Sequence, residues 1–249
     1  MVTAMFEGLT AVVTGGGSGI GLATARLLRD RGARVAAVDL NPPAEDGLSG
    51  VTGDVTDQAS VDAAISQVAA EFGGIDILIN NAGIGSVGTV VDNDDEEWHR
   101  CWDVNVVGIA RMMRAALPYL EQSAHPAVVN TGSIAAPTGI VQRALYTATK
   151  GAVSSLTRAM AADHLAAGIR VNSVDPGTAD TPWVQRLLAA ADDPDTALAA
   201  LEARQPTGRL VTPEEVAAAI VHLASPEASA TTGVALSVDG GMANLRLPG

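Results

Sequence analysis

The sequence is short of several things, and each shortage closes off a class of function. Among 249 residues there is one cysteine, Cys101, which excludes an intramolecular disulfide and a cysteine-built zinc cage and fits a reducing compartment. Basic residues are few: 15 Lys and Arg against 28 Asp and Glu give a formal net charge of -13. Nucleic acids and anionic membranes recruit basic surfaces, so neither is expected as a partner. His99, His125, His164 and His222 lack metal-ligand spacing, and no metal is expected. No uncharged apolar run reaches the ~18 residues of a membrane span. The opening segment Met1–Gly8 has neither the basic cluster nor the apolar stretch of an export signal, and a cytoplasmic protein is expected. Aromatics make up 3% of the chain, with only two tyrosines, Tyr119 and Tyr146, so the position of each one carries information.

What is present is ample core material, 47% of residues being hydrophobic. From Leu9 onward short β-branched runs alternate with Ala/Leu-rich stretches of helical period, the pattern of a parallel sheet with crossover helices on both faces. The strands are expected at Thr10–Thr14, Arg34–Asp39, Gly50–Asp54, Ile75–Asn80, Ala127–Thr131, Arg170–Val174 and Ala235–Val238. Helices are expected near Gly19–Arg31, Gln58–Phe72, Asp95–Leu120, Leu145–Ala167 and Pro213–Leu223, with irregular helix between Trp183 and Arg204 that reads as a lid over 183–209, its Asp192-Asp193-Pro194-Asp195 interruption suggesting two short helices around a turn. No break in composition marks a second unit, so residues 1–249 read as one α/β domain, a doubly wound parallel sheet of seven strands. Thr212-Pro213-Glu214-Glu215 reads as a capping box with proline at N1, and Asp30-Arg31-Gly32 as a helix stop.

The first strand runs through Thr14-Gly15-Gly16-Gly17-Ser18-Gly19-Ile20-Gly21 into a helix. Glycines there permit a tight turn and close backbone approach to a pyrophosphate, and the helix N-terminus offers unpaired N–H groups. The P-loop lysine is missing, which disfavours a nucleoside triphosphatase. Asp39 closes the second strand, where a carboxylate can accept from adenosine ribose hydroxyls and repel a 2′-phosphate, selecting NAD over NADP; a turn aspartate ahead of Asn41-Pro42-Pro43 is the competing reading. Ser133 follows the fifth strand, and Tyr146 and Lys150 stand at i and i+4 on one helix face. An ammonium beside a phenol favours the phenolate and brings its pKa toward the working range. The ordinary alternative is a Tyr–Lys pair on a solvated surface.

Taken in this order, the motifs resemble the short-chain dehydrogenase/reductase family over essentially the whole length. The matching residues are Thr14–Gly21, Asp54-Val55, Asn80-Asn81-Ala82-Gly83, Asn105, Ser133, Tyr146-Thr147-Ala148-Thr149-Lys150, Pro176-Gly177 and Thr181. The resemblance implies a Rossmann-type fold and an NAD-dependent interconversion of a secondary alcohol and a ketone. It implies that Gly15, Ser18, Gly19, Ile20 and Gly21 form the pyrophosphate turn, that Asp54 and Val55 flank adenine, and that Asn81, Ala82 and Gly83 wall the riboses. Ser133 would hold the substrate oxygen, Tyr146 would move the proton, and Lys150 would bind the nicotinamide ribose and tune Tyr146. Asn105 would anchor a water chain, while Pro176, Gly177, Thr178 and Thr181 would shape the nicotinamide pocket. A homotetramer is also implied. Asp175 departs from the pattern, since the family more often has a small or neutral residue there.

Gln142-Arg143-Ala144-Leu145-Tyr146 and the segment Ala203–Arg209 look like the branch containing 3-hydroxybutyrate and 2-keto-3-deoxy-L-fuconate dehydrogenases, whose substrates carry a carboxylate. The resemblance makes Arg143 and Arg204 carboxylate ligands, with Arg186 only an out-of-step counterpart of a third arginine. Against this stand a surface helix-start role for Arg143 and an ion pair of Arg204 with Glu202 or another acid. The leading expectation is oxidation of a small hydroxy acid or sugar-derived acid. A dehydrogenase of a neutral sugar, polyol or cyclic alcohol is the alternative, and a non-catalytic NAD sensor is the reading of another class.

Overall fold

A computed structural model describes residues 5–246. Seven strands, β1 (Thr10–Thr14), β2 (Arg34–Asp39), β3 (Leu48–Thr52), β4 (Ile77–Asn80), β5 (Ala127–Thr131), β6 (Arg170–Pro176) and β7 (Ala235–Val238), form one parallel sheet of order β3-β2-β1-β4-β5-β6-β7. The helices are α1 (Gly19–Asp30), α2 (Gln58–Phe72), α3 (Asp95–Trp102), α4 (Gly108–Leu120), α5 (Ala144–His164), α6 (Pro182–Ala189), α7 (Pro194–Glu202) and α8 (Pro213–Ala224). The chain winds outward from β1 in one direction and then, through β4, in the other, so the crevice at the strands' carboxyl ends lies at the β1/β4 switch point.

Strand alternation sorts the apolar residues onto two faces. Val12, Leu78, Val128 and Val171 pack with α2, α4 and α5. Ala11, Val13, Ile77, Ile79, Val129 and Val174 pack with α1 and α8. The helix ends obey the expected chemistry. Thr212 and Glu215 form a reciprocal capping box at α8, and after α1 the N–H groups of Gly32 and Ala33 return to the carbonyls of Arg29 and Leu28, with Gly32 at φ 98°. Among the described residues no helix is long and apolar enough to cross a membrane.

Several boundaries differ from the sequence expectation. β3 lies two residues earlier than Gly50–Asp54: Leu48 is buried, while Asp54 has already turned, its carboxylate accepting from the N–H and hydroxyl of Thr56. β4 starts at Ile77 rather than Ile75, because Asp76 spends its carboxylate on the Thr10 N–H and the Ser123 hydroxyl. β6 continues past Val174 to Pro176, paired with Ser237 and Val238 of β7. The expected helix over Asp95–Leu120 is divided by a π-helical turn at Asp103–Val107 that turns Asn105 inward. Between Trp183 and Arg204 the two short helices expected around the Asp192–Asp195 turn are present as α6 and α7, regular rather than irregular, starting at prolines capped by Thr181 and Asp193.

Candidate active site

The switch point opens into a cleft of about 630 Å³. Most residues singled out from the sequence border it: Gly15, Ser18, Gly19 and Ile20 from the glycine turn, Asp39, Asp54 and Val55 from β2 and the end of β3, Asn81, Ala82 and Gly83 after β4, and Ser133, Tyr146, Lys150, Pro176, Gly177 and Thr181. Gly21, Asn105, Thr178, Arg143 and Arg204 are not on its wall. Leu40, Gly85, Arg100, Val104, Trp183 and Arg186 are on it, and sequence reasoning gave them no firm place.

The glycine turn is built for close approach. A Cβ on Gly21 would strike the Gly15 carbonyl, and one on Gly16 would meet Ala37 at 2.8 Å. Gly15 and Gly19 adopt φ of 64° and 53°, where side chains are strained. At the start of α1 the Ser18 hydroxyl makes no capping bond and the first turn holds no acid, which leaves the helix's N–H groups and positive end open to an anion. Thr14 ties this turn to β4, its hydroxyl accepting from the N–H groups of Asn81 and Ala82 at 3.0 and 3.1 Å. The Asn81 amide in turn donates to the carbonyls of Thr14 and Gly15. Such a cradle fits the pyrophosphate of a dinucleotide.

Asp39 accepts the Gly17 N–H at 3.0 Å and the Asn41 N–H at 2.9 Å, so the turn reading and the cleft position hold together in one residue. The hydrogen bonds from Thr56 hold the Asp54 carboxyl below the usual carboxylate range.

Across the cleft, β5 delivers Ser133 and α5 delivers Tyr146 and Lys150. Lys150 is 5% exposed and donates to the Thr131 carbonyl at 2.8 Å. Its Nζ lies 5.7 Å from the centre of the Tyr146 ring. The pair is therefore not a solvated surface decoration: the ammonium is buried beside the phenol's ring. Ser133, 7% exposed, accepts the Ala135 N–H through its hydroxyl.

The Asn105 amide donates to the Ile84 carbonyl and to the Thr149 hydroxyl, and its oxygen accepts the Ile84 N–H at 2.8 Å. Those bonds clamp the loop after β4 to α5 and use both N–H groups of the Asn105 amide. Thr181 caps α6 with its hydroxyl and faces Gly19 across the cleft. Thr178 contributes carbonyl contacts to Val211 and Gln205. Gln205, 1% exposed, bonds Thr178 and Arg209 and leaves no room for a Cβ on Gly177. Gln205 thus braces the Pro176–Thr178 loop, a role that the sequence did not reveal.

Arg143 donates to the Ser86 carbonyl at 2.7 Å, and its guanidinium lies 5.5 Å from the centre of the Trp183 ring. Burial depresses its pKa, the neighbouring Tyr146 opposes that shift, and the positive charge of Arg204 adds to it. The five ion pairs among the described residues include neither Arg143 nor Arg204, so the expected alternative of an Arg204–Glu202 pair is not formed.

A profile for the family described as Enoyl-(Acyl carrier protein) reductase matches residues 15–243. The cis-4-hydroxycyclohexanecarboxylate dehydrogenase of Sinomonas cyclohexanicum is 42% identical over 247 residues, covering 95% of this chain and 97% of that one. The ligand-free aldohexose dehydrogenase of Thermoplasma acidophilum superposes with a TM-score of 0.92 at 34% identity, covering 99% and 100% of the two chains. A 3-ketoacyl-(acyl-carrier-protein) reductase from Brucella melitensis complexed with NADH superposes with a TM-score of 0.87 at 35% identity, covering 96% and 99%. Fold, cleft and these likenesses define an oxidoreductase that acts on CH–OH donors with a nicotinamide cofactor. The chain belongs to the short-chain dehydrogenase/reductase family.

Proposed function

We propose that the protein is an NAD-dependent dehydrogenase of a small, carboxylate-bearing secondary alcohol, a hydroxy acid or sugar-derived acid. The observation that carries the reaction is the buried Lys150 beside Tyr146, on the wall of the same cleft as Ser133. Gly15, Ser18, Gly19, Ile20 and Gly21 hold the pyrophosphate, Asp54 and Val55 the adenine, and Asn81, Ala82, Gly83 and Lys150 the riboses. Pro176, Gly177, Thr178 and Thr181 frame the nicotinamide. The bound nicotinamide supplies the hydride chemistry, and the chain supplies orientation and proton management. Ser133 fixes the substrate oxygen, Tyr146 takes the hydroxyl proton in oxidation and returns it in reduction, and Lys150 keeps a buried positive charge beside the phenol. Asn105 positions Thr149 and the loop at Ile84 by the bonds its amide makes.

Asp39 selects the cofactor by its charge. The Gly17 and Asn41 N–H groups use different oxygens of the carboxylate, so Asp39→Asn removes the charge and keeps an acceptor for only one of them; that lost bond weighs on both cofactors and cancels in their ratio. The ratio of kcat/KM with NADP to that with NAD is expected to rise about 10- to 100-fold, the effect of removing one like-charge repulsion. An unmoved ratio would reject Asp39 as the selector.

Arg143 and Arg204 take the substrate carboxylate. The repulsion that the Arg204 charge exerts on Arg143, and the absence of an ion pair at either arginine among the described residues, support this, because an anion would relieve both. An NAD-reduction screen over hydroxy acids, aldonic acids, free sugars and neutral cyclic alcohols tests the substrate class. For an acid and its matched amide, Arg143→Ala is expected to lower kcat/KM for the acid by about 100-fold and for the amide by less than about fivefold. Equal losses would favour the second reading, a neutral sugar or cyclic alcohol substrate, for which the likeness to an aldohexose dehydrogenase speaks.

The segment 183–209, carrying α6 and α7, is proposed as the lid, and 1–249 as one domain. A homotetramer in the cytoplasm completes the reading. The exposed apolar Leu236 on the edge strand β7 and Val234 just before it support self-association, and the buried free thiol of Cys101 fits a reducing compartment.

A further inference from the structure

Behind the cleft wall one buried acid has no task in the mechanism above. Asp175 is 3% exposed and occupies β6, where its register partner on β7 is Ser237. Its carboxylate points to the sheet face covered by α5 and sits against the backbone between Thr131 and Ser133. A Cβ on Gly132 would collide with its Oδ1, and that oxygen makes no hydrogen bond. One residue back along the same backbone, the Thr131 carbonyl receives the Lys150 ammonium.

We propose that Asp175 is a positioning residue, a buried counter-carboxyl of Lys150 whose charge sets the pH at which the Tyr146–Lys150 pair gives up its proton. It rests on the reading of Tyr146 as the acid–base group. The groups facing Asp175 are countable. From α5 come Lys150 and Arg158, from the end of β5 the Ser133 N–H, and from β6 itself the Ser173 hydroxyl. From β7 comes Ser237, while Asp239 two residues on spends its carboxylate on the N–H groups of Gly241 and Ala243. Burial pushes the Asp175 carboxyl up to about 6, with the Lys150 charge the strongest opposing influence. Below that pH the carboxyl is neutral and the ammonium acts on Tyr146 undiminished. Above it the carboxylate offsets part of the ammonium's field, and the phenol stays protonated to higher pH. The device therefore favours Tyr146 as a proton donor near neutrality and moves efficient oxidation to alkaline conditions.

The same burial fixes the sign of the stability effect. A carboxyl whose folded pKa is raised binds protons more tightly when folded, so stability falls as pH rises from about 4 to about 6 and stays lowered above. Neutralising Asp175 removes that cost.

With only two tyrosines, the Tyr119→Phe background leaves Tyr146 as the sole phenol, and ultraviolet tyrosinate absorbance then titrates it directly without substrate. In that background Asp175→Asn and the smaller Asp175→Ser are both expected to lower the Tyr146 pKa by about 0.5–1 unit, as removal of one partly screened charge would. The alkaline limb of kcat/KM for alcohol oxidation should move by the same amount, with the melting temperature at pH 8 not reduced. Two neutral variants that shift alike identify charge as the cause. An unmoved tyrosinate titration in both would overturn the proposal. A titration that moves while the kinetic limb does not would keep the electrostatic link and reject instead Tyr146 as the acid–base group.

Discussion

Replacing Tyr146 with phenylalanine is expected to lower kcat by about 10³-fold while leaving cofactor affinity and melting temperature at their wild-type values. The ring is retained, so its contact with the Lys150 ammonium at 5.7 Å survives and only the phenolic proton is removed. Lys150 keeps its bond to the Thr131 carbonyl. A binding titration with NAD and a turnover assay on whichever alcohol the screen identifies make the comparison. Turnover above about a tenth of wild type would mean that proton transfer runs through another group, and the non-catalytic sensor reading would gain if the wild type itself were inert throughout the screen.

The second large effect is expected at Gly21, which never reaches the cleft wall. It is buried in the first turn of α1, and an added methyl would meet the Gly15 carbonyl and, at 2.5 Å, the Asn81 amide. Both are backbone or hydrogen-bonded parts of the pyrophosphate cradle, so neither can yield without moving the turn. Gly21→Ala is expected to weaken NAD binding at least about 100-fold and to cost about 1–3 kcal/mol of stability from overpacking, roughly 3–10 °C in melting temperature for a chain of this size. Gly74→Ala, where a Cβ meets nothing within 4 Å, serves as the control. If Gly21→Ala bound NAD as the wild type does, the turn would not be the phosphate site.

What could be read from the residues alone follows from how local each cause is. β1, β2, β5 and β7 have the expected ends because β-branched runs stop where turn residues begin. β3 was displaced because Leu48 and Ser49 look like loop continuing from Gly47, while Asp54, which looks like a strand end, belongs to a turn with Thr56. The π-helical turn was invisible: helical period is unbroken from Asp95 to Leu120, and the interruption answers bonds from Asn105 to Ile84, twenty-one residues away. The glycine turn was legible because contact between backbones dictates residue type directly. Arg143 was not, since its placement depends on the bridge between Gly88 and its own backbone and on stacking over Trp183 from another helix. Asp175 could be recognised only as an oddity. That it lies against Gly132, one residue from the carbonyl that receives Lys150, follows from the β5–β6 register, which no single segment encodes.

The stitching of Thr14 and Gly15 to Asn81 and Ala82 joins the half of the sheet built from β1, β2 and β3 to the half that begins at β4. The phosphate cradle therefore exists only in chains whose two halves have docked. A ligand held there binds the folded state alone, and at a hundred times its dissociation constant it adds about 2.7 kcal/mol to the free energy of unfolding. Cofactor supply and the persistence of the folded enzyme thus become linked quantities, with the nicotinamide dinucleotide acting as a thermodynamic clasp between halves of the chain as well as a reactant.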